Sequence, residues 1–296
     1  MVKLNAQACS VYCFAMIATC YRYLSSHWDD TLQRRRFLVS PPSRFNDKMD
    51  CTCRVVGTLR QDVLDRYNAE FNWDDVARRH GLPSEAIIYS KAAKGLDQNE
   101  VCRAMFNKER LAMDYNFRIL CLSKAETGDR TSNHMWKNYT NCGKGVRIGL
   151  FLNLQERHDS PLKHVQYKDE PNVLDLSTLN KFPPTVDDVL KFICTKTKEW
   201  SVEAEVRVIR QLGKWKDEYC DGKSLSFWNF PPQLVARIDL GWNFGGDVNQ
   251  FIDKYSRIYT WADFYQCDAI EEIPRRYRCL KKGNEQSLLQ HSIQLD

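Results

Sequence analysis

Trp200-Ser-Val-Glu-Ala-Glu-Val-Arg-Val-Ile209 alternates polar and apolar side chains, and its reading decides the fold. Taken as a strand over Glu205 to Ile209, it turns Glu203, Glu205, Arg207 and Ile209 to one side and Val202, Ala204, Val206 and Val208 to the other. Two carboxylates and a guanidinium then stand in line on one face of a sheet whose opposite face is wholly apolar. Runs of the same kind surround it: Phe117-Arg-Ile-Leu-Cys-Leu122, Gly145-Val-Arg-Ile-Gly-Leu-Phe-Leu152, His164-Val-Gln-Tyr167 and Leu234-Val-Ala-Arg-Ile-Asp-Leu240. Upstream, a strand around Tyr21 to Leu24 leads to a short helix over Trp28 to Arg36. A strand Phe37-Leu-Val-Ser40 follows and is stopped by Pro41-Pro42.

Between these strand-rich parts the period changes. Leu59 to Tyr67, Asp74 to His80 and Gln98 to Ala112 carry apolar residues at three- and four-residue spacing, which predicts a helical insert over 55–115. A further helix is read over Val186 to Lys198. No repeat, low-complexity tract or Gly/Ser linker marks a boundary. The expectation is therefore one composite α+β domain over 1–296, with a mixed or antiparallel central sheet and a strand-rich catalytic part over 117–245.

Of the 296 residues, 43% are hydrophobic and 27% charged, which excludes disordered, collagen-like and polytopic membrane chains. Lysine and arginine number 43 against 38 acidic residues, a net charge of +5 that permits a nucleic-acid partner without requiring one. The 12 cysteines are scattered and read as free thiols of a reducing, cytoplasmic compartment. Cys51-Thr-Cys53 lacks a second pair at zinc-finger spacing, so no metal is expected there. The apolar run from Ala8 to Ala18 is too short to cross a bilayer and is interrupted by Ser10 and Tyr12. It reads as a buried helix or strand, with no membrane partner.

Several residues could carry chemistry, each beside a blander reading. Arg22, between Tyr21 and Tyr23, is a phosphate-binding group or a surface arginine. Asn46 and Asp47 can fix a loop through side-chain to backbone bonds. Ser123 ends a hydrophobic strand. Trp136 and Tyr139, three apart on one helix face, form either a core pair or a stacking platform for a planar ring. Glu203, Glu205 and Arg207 are either a solvated cross-pair or a working carboxylate cluster.

Tyr21-Arg-Tyr23, Ser40-Pro-Pro-Ser-Arg-Phe-Asn-Asp47, Leu120-Cys-Leu-Ser123, Met135-Trp-Lys-Asn-Tyr139 with Lys144-Gly145, Val165-Gln-Tyr167 and Trp200-Ser-Val-Glu-Ala-Glu-Val-Arg207 occur in a telling order. They resemble a bacterial and phage domain-of-unknown-function family with Tyr-Lys-Tyr, Phe-Asn-Asp-Pro, Met-Trp-x-x-Tyr and Trp-x-x-Glu-x-Glu-x-Arg motifs. The resemblance runs from about Tyr21 to Leu240. Lys48 stands where that family has proline, and Arg22 where it often has lysine.

More distantly, the order resembles the ADP-ribosyltransferase superfamily of the Arg-Ser-Glu type, which implies an ADP-ribosyltransferase-like sheet and NAD as the consumed cosubstrate. The resemblance implies that Arg22, Tyr23, Asn46, Ser123, Trp136, Tyr139 and Arg207 bind NAD. It implies too that Glu205, with Glu203 and Ser123, carries the catalysis. It further implies a toxin or phage-defence role, a nucleic-acid acceptor in preference to a protein, and an antitoxin or regulatory partner. Two other readings remain open. A metal-dependent nuclease would hold Mg²⁺ on Glu203, Glu205 and Asp47, with Arg22, Lys144 or Arg207 on the scissile phosphate. A non-catalytic sensor would stack a base on Trp136 and Tyr139.

Overall fold

The computed structural model describes residues 17–45, 50–51, 54–58, 60–70, 117–124, 130–153, 162–170, 172–180, 186–211, 216–220, 223–268 and 277–284. The first half runs β1 (Ile17–Leu24), α1 (Trp28–Arg34), β2 (Arg36–Val39), β3 (Arg54–Val56), α2 (Gln61–Glu70), β4 (Phe117–Ser123), α3 (Arg130–Tyr139) and β5 (Val146–Asn153). The second half runs β6 (Leu162–His164), β7 (Gln166–Lys168), β8 (Val173–Asp175), α4 (Val186–Ile193), β9 (Thr195–Thr197), β10 (Glu205–Gln211), β11 (Lys216–Cys220) and β12 (Lys223–Asn229). It ends with β13 (Val235–Leu240), α5 (Val248–Tyr255), β14 (Asp263–Cys267) and β15 (Tyr277–Lys281).

Eight strands form one mixed sheet in the order β15-β14-β13-β5-β1-β4-β10-β6. Within it β13 and β14 are parallel and the other pairings antiparallel. The chain is thus α+β with a large mixed sheet, as its strand and helix patterns predict. Alternation along the strands sorts the residues by face. One face carries Cys20, Leu120, Leu122, Ile148, Leu150, Val206, Val208, Ile238 and Leu240, packed with Leu32 of α1, Phe251 and Tyr255 of α5, and Phe37, Trp228 and Phe230. Each such aliphatic side chain contributes about 1.5–3 kcal/mol when fully buried. This layer, rather than the charged face opposite, drives sheet assembly.

The opposite face is divided. Phe117, Ile119 and Ile209 pack with Val63 of α2 and Phe192 and Ile193 of α4. Tyr21 and Tyr23 pack with Met135 and Trp136 of α3 and with Cys267. Charged side chains stand between and beside these clusters. No helix among the described residues is long and apolar enough to cross a membrane.

Two expectations need correction. The helix read over Val186 to Lys198 stops at Ile193; Thr195–Thr197 pairs in parallel with Gln166–Lys168, because β-branched threonines two apart favour an extended chain. The run His164 to Tyr167 is broken at Val165 into β6 and β7, which join different sheets. Of the helical insert over 55–115, α2 is seen; its segments Asp74 to His80 and Gln98 to Ala112 lie outside the described residues. The tail supplies α5, β14 and the edge strand β15.

Candidate functional site

The site grows from the end of β10. Val206 and Val208 are fully buried on the apolar face, so Glu205 and Arg207 must face the other way. That side is also covered, and Arg207 is 0% exposed and Glu205 6%. Arg207 answers burial by forming several bonds. Its Nε donates to Glu205 Oε1 at 2.8 Å, Nη2 to Asp50 Oδ2 at 2.6 Å and Nη1 to the carbonyl of Ile193. Its guanidinium lies 5.1 Å from the ring centre of Phe45.

Glu203 reaches the same place by another route. Lys198–Glu203 is a 3-10 turn closed by Ala204 in the left-handed region at φ 45°, so Glu203 is not part of the strand, contrary to the in-line reading. Ser123, paired with Glu205 across β4 and β10, donates its hydroxyl to the Glu203 carbonyl at 2.7 Å and pins this turn. The Glu203 carboxylate then meets Lys196, delivered by β9. Lys196 Nζ lies 2.7 Å from Glu203 Oε2, 3.4 Å from Glu205 Oε2 and 3.6 Å from Asp50 Oδ2. Neither Lys196 nor Asp50 is marked by sequence: Lys196 falls in the tail of an apparent helix, and Asp50 follows an unremarkable loop. The Thr195-Lys-Thr197 alternation marks an extended segment there but not membership of the cluster.

The electrostatics are coupled. Burial pushes the Glu205 carboxyl up, but the Arg207 guanidinium and the Lys196 ammonium outweigh it and hold the group below the usual carboxylate value. Burial pulls Lys196 down, and the Glu205 and Glu203 carboxylates more than reverse it. Tyr167 donates no charge but accepts the Glu205 backbone N–H at 2.8 Å, and burial raises its hydroxyl to about 12. Burial also drives the thiols of Cys51 and Cys121, beside Arg207 and Glu205, well above the usual range.

Glu203 is itself 3% exposed and meets two side chains of α3. Tyr139 of α3 donates its hydroxyl to Glu203 Oε1, and His134 Nε2, on a side chain 27% exposed, lies 4.0 Å from the same oxygen. The Trp200 ring centre lies 4.8 Å from Lys196 Nζ, and its buried Nε1 has no hydrogen-bond partner among the described residues.

The structure brings together Glu203, Glu205, Arg207, Ser123 and Tyr139, and leaves Arg22, Tyr23 and Trp136 elsewhere. Tyr21 is the β1 residue in line with Ser123 and Glu205. Arg22 is therefore one position out of phase, alternating with Cys20 onto the opposite face, and its Nη1 donates to the Cys121 carbonyl at 2.8 Å. Trp136 is 0% exposed, set edge-on to Tyr23 at 5.5 Å with Nε1 on the Tyr277 hydroxyl, so it is core and offers no stacking face. Tyr23 belongs to the same packing, with its hydroxyl 3.3 Å from Arg147 Nη1. Arg147 and Asp239 form a fully buried pair at 2.7 Å, roofed by Tyr21 at 4.2 Å. Asn46 and Asp47 lie outside the described residues. A divalent ion shared by Asp50, Glu203 and Glu205 would need the position that the Lys196 ammonium holds.

Comparison of the chain with models of known protein families, with curated proteins and with solved structures found no match.

Proposed function

We propose that the protein is an NAD-consuming ADP-ribosyltransferase of toxin or antiviral-defence type, working at the Glu203 end of this cluster on a nucleic-acid acceptor. The carrying observation is an excess of carboxylate: Asp50, Glu203 and Glu205 face two cations, Lys196 and Arg207. A buried site with surplus negative charge stabilises positive charge developing beside it. NAD, when bound, supplies an ADP-ribosyl group whose bond to nicotinamide breaks with positive charge building on the ribose.

The reading rests on the reacting end of such a molecule, since Arg22, the expected phosphate ligand, is turned to the other face. In this reading Glu203 holds the developing charge; Tyr139 donates to its Oε1, and the partly exposed His134 lies 4.0 Å from the same oxygen. Glu205 has both oxygens on Arg207 and is the electrostatic anchor. A net charge of +5 favours a nucleic-acid acceptor over a protein. The serine and glutamate of the order that resembles the Arg-Ser-Glu transferases, Ser123 and Glu205, support the same reading, and that resemblance adds a silencing partner protein to it.

The test is mass spectrometry of RNA, DNA and protein incubated with the full chain and NAD. A gain of one ADP-ribose that disappears in Glu203→Gln supports the transferase and names its acceptor. NAD left intact with every acceptor sinks it.

A further inference from the structure

A second polar site lies away from the carboxylate cluster. A cavity of about 470 Å³ opens where α1 ends and β2 begins, lined by Arg34, Arg35, Arg36, Glu218, Asn229 and Phe230 with Pro231 beside them. That volume is in the range of small-molecule sites. Three successive guanidinium groups face one lining carboxylate, and that carboxylate, Glu218, is already ion-paired with Arg36.

The three arginines differ in how far they are committed. Arg36 is fixed: its side chain is 9% exposed, held by Asp30 at 3.3 Å and by Glu218, and stacked 4.0 Å over Phe227. Arg34 is 60% exposed and tied to Asp30 through Nε at 2.8 Å. Arg35 is exposed and has no hydrogen-bond or ion-pair partner for its side chain among the described residues. A helix C-terminus attracts a basic residue to its dipole, which accounts for Arg34. It does not account for Arg35, which caps α1 at φ 52°, a left-handed position where glycine is the usual occupant.

We propose that this cavity binds a phosphoanion, carried by a free nucleotide or by a nucleic-acid strand. Arg35 and Arg34 supply charge-assisted hydrogen bonds to the phosphate oxygens, and Arg36 is the fixed positive wall. Asn229, paired with Arg36 across β2 and β12, stands beside them as an amide donor. Pro231 gives an apolar edge beside the sugar or base attached to the phosphate, while Phe230, 3% exposed, is packed on Phe37. The inference does not depend on the transferase reading, because none of these residues belongs to the carboxylate cluster.

The experiment is calorimetric titration of the full chain with sodium pyrophosphate, alongside fluorescence anisotropy with a short labelled oligothymidylate. Saturable binding of either probe is expected, weakened about tenfold or more in Arg35→Gly. Glycine suits the left-handed backbone, so melting should be unchanged; Arg35→Gln serves as a second variant. Lys198→Ala, which removes an exposed ammonium paired with Asp169, should bind as the parent does. Pyrophosphate binding that the oligomer cannot displace identifies a free nucleotide as the source, and oligomer binding identifies a strand. No saturable binding of either probe overturns the proposal, as does equal loss in Lys198→Ala or full affinity in both Arg35 variants.

Discussion

Glu203 and Glu205 converge on one ammonium, that of Lys196, at 2.7 and 3.4 Å, although only Glu205 lies on a strand. The left-handed Ala204 between them folds the chain back so that both carboxylates arrive from different directions. The two are therefore unequal, and the inequality can be measured.

Glu205→Gln leaves Arg207 buried without its bidentate partner, a loss of about 3–5 kcal/mol. Glu203→Gln loses the 2.7 Å pair with Lys196, which keeps Glu205 and Asp50, and should cost about 1–2 kcal/mol. Paired urea unfolding curves check this. If the Glu205 variant proves the milder of the two, Glu205 is not the anchor. In the NAD assay, Glu203→Gln should abolish transfer while the variant remains folded.

Lys196→Met should be as damaging as Glu205→Gln at neutral pH, about 3–5 kcal/mol, because three carboxylates are left around an apolar side chain. The damage should shrink in acid as Glu205 takes up a proton. Thermal melts at pH 7 and pH 4 test both points, and a loss that stays constant between the two would contradict the cluster's charge balance.

Stability should fall in acid with a component specific to Glu205. Its carboxyl titrates below the ordinary 4.5 in the folded protein, so its contribution is complete above about that pH and is lost as pH falls through the lower folded value. Unfolding free energies measured from pH 6 downward should show a steeper acid slope in the parent than in Glu205→Gln. Identical slopes would place the acid sensitivity elsewhere.

Gly145, in the Lys144-Gly145 motif, acts on the backbone and not on a ligand. A Cβ there would sit 1.9 Å from the Leu24 carbonyl oxygen, so Gly145→Ala should destabilise by about 1–3 kcal/mol. Gly245→Ala, with nothing within 4 Å of the added atom, is the control and should melt as the parent does. Equal melting of both variants would show that the Leu24 to Gly145 approach is not tight.

Much of the sheet was legible because its strands announce themselves. Val206 and Val208 alternate with Glu205 and Arg207, and Ile148 and Leu150 with Arg147 and Gly149, so face and period follow from residue type. The site was half legible. Glu203, Glu205, Arg207 and Ser123 stand out as polar groups at the ends of apolar strands. Their partners did not, because Lys196 and Asp50 join through tertiary packing that leaves no local pattern. Arg22 was misplaced for a different reason: residue type cannot tell which of two adjacent positions aligns with a neighbouring strand, and one step reverses the face. Trp136 and Tyr139 share a helix and differ in exposure because α3 sinks deeper at Trp136, against Tyr23.

The first strand among the described residues is also at the centre of the sheet. β1 pairs along its whole length with β5, from Ile17↔Asn153 to Leu24↔Val146, and touches β4 at Tyr21↔Ser123. A chain emerging from the ribosome therefore presents Ile17–Leu24 long before either neighbour exists, with its hydrogen-bonding edges open. Contacts this distant in sequence are slow to form, since a long loop must close before any pairing is gained. Nascent chains should thus depend on chaperones until β5 has been made, and a truncation ending before Val146 should aggregate rather than fold.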